Sequence, residues 1–299
     1  IPRVLQLCIM LLGIHVSIAG GIYESITRAQ ELGCTAMQIF ARDPRQWRRT
    51  KLKARDIEEF RRRRASSGIE KVFIHIPYLI NLASPLHGLF RGSITAHVQD
   101  MREARALGAE YMVTHMGSHK KSGEKRGLKK ISIALNRILE LTEGSPVKIL
   151  LENTAGAGSW LGYSFEHHAV IIDKIEQKDR IGVCLDTCHA YAAGYDLSLE
   201  TGYARLMKEI EQSVGLKRLS LVHLNDTRDG LGSHRDRHEH IGKGNIGIDG
   251  FRRMIRDPRL AHAAFILETP KDSATADKSN LFVVKRLMGQ VTPRGTRKG

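Results

Sequence analysis

Cysteine is scarce in this chain of 299 residues, which has four in all, Cys8, Cys34, Cys184 and Cys188. So few thiols at such irregular spacing exclude a disulfide-stabilised scaffold and favour a reducing, intracellular setting. We expect the bacterial cytoplasm. Cys184 and Cys188 lie close together in CLDTC, but no second cysteine pair completes a structural zinc site, so we interpret both as small buried residues.

Long apolar runs are missing as well. The longest, VLQLCIMLLGI near the start, falls short of the roughly 18–20 residues that a membrane-spanning helix needs. A signal peptide is one interpretation of this stretch, since it follows Arg3 and precedes SIAGG. We favour a first β-strand that ends at His15, because a strand there fits the pattern of the rest of the chain. We expect no association with a membrane.

Negative charge is in deficit. Lys and Arg number 47 against 32 Asp and Glu, which gives a net charge of +15 and a pI near 9.8. This balance favours a polyanionic partner, nucleic acid before a membrane surface. We interpret the cluster FRRRR (60–64) as a solvated helix face. Residues 1–290 are expected to form a single domain and residues 291–299 a basic, disordered tail.

Short β-rich apolar runs alternate along the chain with charged segments of helical periodicity, such as ITAHVQDMREARALG (94–108). This alternation predicts a parallel sheet with crossover helices. Eight candidate strands end at residues 15, 40, 75, 115, 152, 186, 223 and 268. Eight such units in this length indicate an α/β fold of the (β/α)₈ TIM-barrel type. An open doubly wound sheet is the alternative, but no G-x-G-x-x-G motif follows the first strand.

Metal-ligand side chains end the last six of these strands: His75, His115, Glu152, Asp186, His223 and Glu268. In a parallel barrel all carboxyl ends of strands lie on one face, so these side chains converge. Imidazole nitrogen and carboxylate oxygen are ligands that Zn²⁺, Mn²⁺ and Fe²⁺ accept. A lone histidine at a strand end is more often a hydrogen-bonded core residue. Six such groups at one mouth are costly to bury without cations, and they exceed the needs of one ion, so we expect several ions.

The stretch LVHLNDTRDGLGSHRDRHEHIGKG (221–244) adds further candidates. Asp236 and His238, two residues apart, point to one side if the backbone is extended. His189, three residues after Asp186, lies at the same rim, so these three residues could hold a further ion. Other histidines are weaker candidates: His234 and His240 flank the site, and His119 is interpreted as structural.

Several long motifs, in a fixed order, carry a resemblance to a known family. They run from HVSIAGGI (15–22) through HMGSH (115–119), GVCLDTCHAYAAGYDL (182–197) and DRHEHIGKGNIG (236–247) to FILETP (265–270). In these motifs the chain resembles the endonuclease IV family of apurinic/apyrimidinic endonucleases. The resemblance implies a TIM barrel of the xylose-isomerase-like kind and a monomer that acts on double-stranded DNA containing abasic sites.

The resemblance also implies a cluster of three zinc ions, with manganese possible at some positions. One ion is held by His75, His115 and Glu152; a second by Glu152, Asp186, His223 and Glu268; and a third by His189, Asp236 and His238. The implied reaction is hydrolysis of the phosphodiester 5′ to an abasic site, which leaves a 3′-hydroxyl and a 5′-deoxyribose phosphate. Trimming of blocked 3′ ends is implied as well.

Roles for single residues follow from the same resemblance. Glu152 positions the nucleophile and Glu268 assists proton transfer. Arg45, Tyr78 and Leu79 enter the gap in the duplex, and Lys243 contacts a phosphate. Two glycine-rich segments, NTAGAGS (153–159) and GKGNIG (242–247), are expected to bring backbone amides to phosphates. Gln46 and Trp47 are expected either to contact DNA or to pack at the rim of the barrel.

Two other functions remain open on sequence grounds. A metal-dependent sugar or sugar-phosphate isomerase of the xylose-isomerase type would use Glu152, Asp186, His223 and Glu268 around one or two ions. That function leaves the other histidines and Asp236 without a role, so the number of bound ions separates the two. A non-catalytic DNA-binding protein with structural zinc is the other, and an incision assay with and without chelator tests it.

Overall fold

A closed barrel of eight parallel strands forms the centre of the protein, whose computed structural model describes residues 10–47 and 51–289. In chain order the barrel strands are β1 (Leu12–His15), β2 (Ala36–Phe40), β3 (Lys71–His75), β4 (Tyr111–His115), β5 (Lys148–Glu152), β6 (Ile181–Asp186), β7 (Leu219–His223) and β10 (Ala264–Leu267). Between β7 and β10, β8 (Asp226–Thr227) and β9 (His238–Glu239) form a separate two-stranded sheet. Sequence neighbours pair around the barrel, and β1 closes it against β10 with Leu12 beside Phe265.

The predicted (β/α)₈ fold is therefore confirmed. Seven strands end at the predicted residue, and the last ends at Leu267, one residue before Glu268. Cys8, most of the run considered as a signal peptide, and the basic tail lie outside the described residues. The domain boundary at residue 290 stays a prediction.

Helices cover the outside of the barrel. They are α1 (Glu24–Glu31), α2 (Ala54–Ala65), α3 (His87–Leu107), α4 (Glu124–Leu141), α5 (Phe165–Asp173), α6 (Thr187–Ala192), α7 (Glu200–Ser213), α8 (Gly247–Ile255) and α9 (Ala276–Leu287). Short 3₁₀ turns precede β6, β7 and β10, at Lys178–Arg180, Leu216–Arg218 and Pro258–Leu260. Across residues 10–47 and 51–289, none of the helices combines the length and the hydropathy needed to span a bilayer.

The apolar residues of α4 show why these segments fold as barrel helices. Leu128, Ile131, Leu135 and Ile138 recur every three or four residues and are all buried, so they form one face that packs inward. The arginines of FRRRR in α2 are only partly a solvated face, because two of them are half-buried and paired with acids of α1 and α2 and of the turn before β4.

A separate apolar cluster fills the inside of the barrel. It consists of Ala36, Phe73, Val113, Leu150, Cys184, Leu221, Ala264 and Ile266. Side chains two residues apart on a strand point the same way, so the residue two positions after each inward apolar side chain also points inward. That residue is His75 after Phe73 and Glu152 after Leu150. Strand alternation thus places a polar mouth on top of an apolar floor.

Candidate metal centre

The six strand-end residues meet at the carboxyl mouth of the barrel. Two groups of ligand atoms, each with all atoms within 4.8 Å of one another, lie there: His75, His115 and Glu152 in one, and Glu152, Asp186, His223 and Glu268 in the other. Glu152 belongs to both groups. The side chains are buried or half-buried, so their charges face one another rather than bulk water.

Glu152 presents a different oxygen atom to each group. Its Oε2 lies 3.1 Å from His75 Nε2 and 3.5 Å from His115 Nε2. Its Oε1 lies 3.1 Å from His223 Nδ1. A carboxylate whose two oxygens face separate sets of imidazoles has the geometry that bridges two cations.

A third group forms beside the first two, from His189, Asp236 and His238. Asp236 Oδ2 lies 3.2 Å from His189 Nε2, and its Oδ1 lies 3.1 Å from His238 Nε2. Asp186 helps to place His189, because it ends β6, caps α6, and accepts the amide of His189 at 2.8 Å. His238 begins β9 (His238–Glu239), which pairs with β8 (Asp226–Thr227) and lays the loop back over the mouth.

The histidine rings are oriented as metal ligands usually are. Three of them donate Nδ1–H to a backbone carbonyl, which leaves Nε2 free to face the carboxylates. These are His75 to Ile76 (2.7 Å), His189 to Asn153 (3.0 Å) and His238 to Glu268 (3.0 Å). Imidazoles fixed in this way, together with carboxylates, suit borderline divalent cations such as Zn²⁺.

Charge balance in the cluster also favours a cation. Burial by itself raises the pKa of Glu152, but His115 and His223 outweigh it and hold that pKa well below its usual range. Burial opposes the charged form of His238, yet the hydrogen bond to Asp236 raises the pKa of His238 to about 9. Protons on histidines whose pKa is raised, such as His238, therefore balance part of the carboxylate charge, and a divalent ion can take the place of those protons.

A fourth group joins Asp186 and His238 to Cys188. Burial, followed by the charge of Asp186, raises the pKa of the Cys188 thiol far above its ordinary value. A thiol held in its neutral form is a poor ligand. Cys188 is buried, as predicted, and so are Cys34 and Cys184.

Sequence reasoning missed two residues of the mouth, His15 and Gln38. His15 Nδ1 lies 3.3 Å from Glu268 Oε1. Gln38 donates Nε2–H to Glu268 Oε1 at 2.5 Å, and its Oε1 lies 2.8 Å from His223 Nε2. The available signals were that His15 also ends a strand and that Gln38 follows the inward-facing Ala36 by two residues.

Three of the candidate DNA contacts, Arg45, Tyr78 and Lys243, are exposed on loops at this same end of the barrel, and Leu79 is half-buried. A cavity of about 240 Å³ opens beside the cluster, lined by Tyr78, His115, Thr154, Ala155, Gly156, Ala157, Trp160, His189 and Asp236. Sequence reasoning did not single out Trp160. The segment NTAGAGS thus supplies part of a cavity wall next to two of the three ligand groups.

The segment GKGNIG differs from its expected role. The amides of Gly242, Gly244 and Ile246 donate to the carboxylate of Asp226 at 2.9–3.0 Å, so they do not face a ligand. Only the side chain of Lys243 remains available for a phosphate.

The weaker candidates take part in local contacts. His234 Nδ1 donates to the carbonyl of Ala155, His240 pairs with Asp272 and Asn280, and His119 accepts the amide of Gly123. Gln46 bonds Asp43 through its amide, and 44% of the Trp47 side chain is exposed. The structure therefore does not pack Trp47 into the rim.

Comparison with known proteins adds independent information. Residues 26–285 match the family model described as a xylose isomerase-like TIM barrel. A protein of Chloroflexus aggregans named as a probable endonuclease 4 is 43% identical over 277 residues, which cover 92% of this chain and 97% of that relative. The chain belongs to the endonuclease IV family.

The crystal structure of endonuclease IV from Thermus thermophilus is similar to this endonuclease IV family member, with a TM-score of 0.84 and 38% identity over 94% of this chain and 99% of that one. A D-tagatose 3-epimerase-like protein covers 94% of the chain and 97% of its own with a TM-score of 0.74, but at 20% identity the likeness concerns the fold alone. All the candidate ligands lie inside the segment that the family model matches.

Proposed function

We propose that this endonuclease IV family member is a DNA repair hydrolase that cuts the phosphodiester 5′ to an abasic site in duplex DNA. The products are a 3′-hydroxyl and a 5′-deoxyribose phosphate, and the same site trims blocked 3′ ends. The observation that carries the proposal is the set of three ligand groups, two of them sharing Glu152, at one barrel mouth beside exposed loops. We further propose a single domain over residues 1–290, acting as a monomer in the cytoplasm, where bacterial DNA lies.

The three groups are proposed to hold three zinc ions, with manganese able to fill some positions. His75, His115 and Glu152 are assigned to the first ion, and His189, Asp236 and His238 to the third. Glu152 is shared with the second ion, whose other ligands are Asp186, His223 and Glu268. When bound, such ions supply Lewis-acid stabilisation to the phosphoryl oxygens and to the attacking and leaving oxygens of an in-line displacement.

Glu152 and Glu268 are assigned the catalytic roles. Glu152 is 1% exposed and placed between the two groups, so it can orient the attacking water at the centre of the cluster. Glu268 keeps 18% of its side chain exposed at the mouth. Burial alone raises the pKa of Glu268, but His223 and His15 lower it and keep the carboxylate charged. Glu268 is assigned to proton transfer because it lies in the same ligand group as Glu152, at the mouth of the barrel.

The loops around the mouth are assigned to the duplex. An enzyme that reaches the phosphate beside an abasic nucleotide extracts that nucleotide from the helix. Tyr78 is 61% exposed at the cavity, and Arg45 and Leu79 lie on loops at the same end, so these side chains can fill the gap that is left. Lys243 is assigned to a backbone phosphate.

The isomerase alternative explains fewer of the candidate ligand side chains at the mouth of the barrel. An isomerase of this fold needs one or two ions, so the third group, His189, Asp236 and His238, has no role in it. A non-catalytic protein that keeps zinc for stability needs no ligand groups beside a cavity that opens at the mouth of the barrel. The mouth holds more candidate metal ligands than an isomerase or a non-catalytic protein would need, and this surplus supports the nuclease.

The test combines metal content with incision. We expect purified protein to carry three zinc ions per chain by mass spectrometry and to cut a duplex that contains one abasic site. Chelation should stop the cutting, and added zinc should restore it. One ion per chain together with sugar isomerisation would replace the proposal with the isomerase.

A matched pair of variants tests the role of Glu152. Glu152→Gln should lower the rate of incision by more than about 100-fold, the upper range for loss of a partner outside the ligand set. Lys148→Gln, at the exposed start of the same strand, should leave incision unchanged. Circular dichroism should show both variants folded, and near wild-type incision by Glu152→Gln would remove the shared carboxylate from the mechanism.

A further inference from the structure

The loop between β4 and α4 carries an unusual turn at the rim. Ser122 donates its amide to the carbonyl of His119 at 2.8 Å, which closes a four-residue turn. Both central residues are left-handed, with φ of 45° at Lys120 and 67° at Lys121. This is the pattern of a type I′ turn, whose central positions are typically Asn and Gly.

Lysine is a strained choice at these two positions. Side chains that carry a Cβ disfavour the left-handed region, and local strain of this kind concentrates at functional sites. In the described part of the chain, the non-glycine residues with positive φ are Lys120, Lys121 and His234. Two of the three are therefore neighbours in a single turn, and both side chains are exposed.

The turn is held in a fixed place beside the cavity. On one side, Ser118 exchanges two hydrogen bonds of 3.0 Å with the amide of Asn81, which lies on the loop that carries Tyr78. On the other side, His119 donates to the carbonyl of Ser159 at 3.0 Å, within the loop that lines the cavity. Hydrogen bonds on both sides therefore fix the turn that carries the two lysines at the mouth of the barrel.

The surrounding charge is positive. Residues 120–126 contain four cations, Lys120, Lys121, Lys125 and Arg126, and one carboxylate, Glu124, so their net charge is +3. Within residues 10–47 and 51–289, no side-chain ion pair involves any of the four cations.

The one carboxylate of the segment is engaged elsewhere. Glu124 accepts a hydrogen bond from Tyr163 at 2.7 Å and lies 3.2 Å from His167 Nε2. It therefore does not neutralise the lysines of the turn.

We propose that Lys120 and Lys121 form a contact site for the phosphate backbone of duplex DNA beside the metal mouth. The inference rests on the proposed function, since it takes duplex DNA as the substrate. Two ammonium groups at the tip of a rigid turn neutralise phosphates without reading bases, so the site adds affinity and orientation rather than sequence preference.

The test separates the effect of the two lysine charges on DNA binding from the effect of backbone strain on stability. Lys120→Asn/Lys121→Gly installs the residues that the turn prefers and removes both charges, so its Tm should equal or exceed that of the wild type. Its affinity for an undamaged duplex should nevertheless fall. The slope of log Kd against log salt concentration should become shallower by about 1.8, since each phosphate contact contributes about 0.9.

Two controls accompany that variant. Lys120→Arg/Lys121→Arg keeps the charges and should keep the wild-type slope. Lys148→Gln/Lys217→Gln removes two exposed lysines at the opposite end of the barrel and should also leave the slope unchanged.

The outcomes distinguish this inference from the proposed function. A wild type that cuts abasic duplex, with a salt slope that the Asn/Gly variant does not change, would overturn the lysine site alone. Absence of both duplex binding and incision in the metal-loaded wild type would remove the proposed function and the lysine site together.

Discussion

At the scale of single residues, Gln38 is not a candidate ligand itself but contacts two residues that are. Its amide nitrogen bonds Glu268 and its amide oxygen lies 2.8 Å from His223 Nε2, so one side chain orients two candidate ligands of the same ion. The bond to Nε2 leaves His223 Nδ1 facing Glu152. Loss of a hydrogen-bond partner of this kind typically lowers metal affinity by about 10- to 100-fold.

Gln38→Met keeps the length of the side chain and removes both hydrogen bonds. We expect zinc affinity at one of the three positions to fall by about 10- to 100-fold, because Glu268 and His223 lose their fixed orientation. Competition with a chromophoric chelator measures this. Gln99→Met, exposed on α3, is the control, and equal affinities in the two variants would exclude an orienting role for Gln38.

At the scale of elements, α3 holds the loop that follows β2. Arg42 Nε lies 3.1 Å from Asp100 Oδ1, and the two side chains are only 5% and 1% exposed. Arg42 Nη1 also donates to the carbonyl of Gln46 at 2.6 Å. The buried ion pair therefore fixes the turn that presents Arg45 to the outside.

Replacing one residue of this ion pair should lower the free energy of unfolding more than replacing both residues. Asp100→Leu leaves Arg42 charged and buried, and we expect the free energy of unfolding to fall by about 3–5 kcal/mol. Arg42→Met/Asp100→Leu should be less destabilised than Asp100→Leu. Its KM for abasic duplex should rise, because the carbonyl of Gln46 loses its hydrogen bond from Arg42.

Urea unfolding and steady-state kinetics measure the two effects. Arg64→Met, which removes an ion pair with Glu110 at the far end of the barrel, controls for stability loss without a change in this loop. A double variant with unchanged KM would show that the pair stabilises the fold and does not position the loop.

At the scale of the whole molecule, two buried histidines link stability to pH. Burial lowers the pKa of His97 from 6.5 to about 4 and that of His168 to about 3. The folded protein keeps both rings neutral, while the unfolded chain protonates them below about 6.5. The stability that these two neutral histidines contribute is therefore fully present above pH 6.5, and it is lost as the pH falls toward 4 for His97 and 3 for His168.

His168→Phe tests this linkage and keeps a ring stacked on Phe165. Between pH 6.5 and 4 the free energy of unfolding should fall less steeply than in the wild type, by up to about 1.4 kcal/mol per pH unit. Urea unfolding at a series of pH values measures the slope. His262→Phe, on the surface, should leave the slope as it is, and an unchanged slope in His168→Phe would contradict the linkage.

Much of the fold and part of the site could be predicted because strand alternation is local. An inward apolar residue such as Leu150 predicts an inward residue at Glu152 from the chain alone. Gln38 contacts His223 of β7 and Glu268, the residue after β10, and Asp226 accepts the amides of GKGNIG; these contacts join segments that no local pattern connects. The same composition suggested a phosphate loop, and the tertiary structure uses those amides internally.

The sequence by itself determined the barrel, the strand ends and the residue types that face its mouth, because a period of two along each strand fixes which side chains point inward. Only the tertiary structure decided which ligand atoms meet. Closure of the barrel brings His15 to Glu268 across 253 positions and turns the two oxygens of Glu152 toward different histidines. Those outcomes depend on strand register around the closed ring, which is set by packing between all eight strands at once.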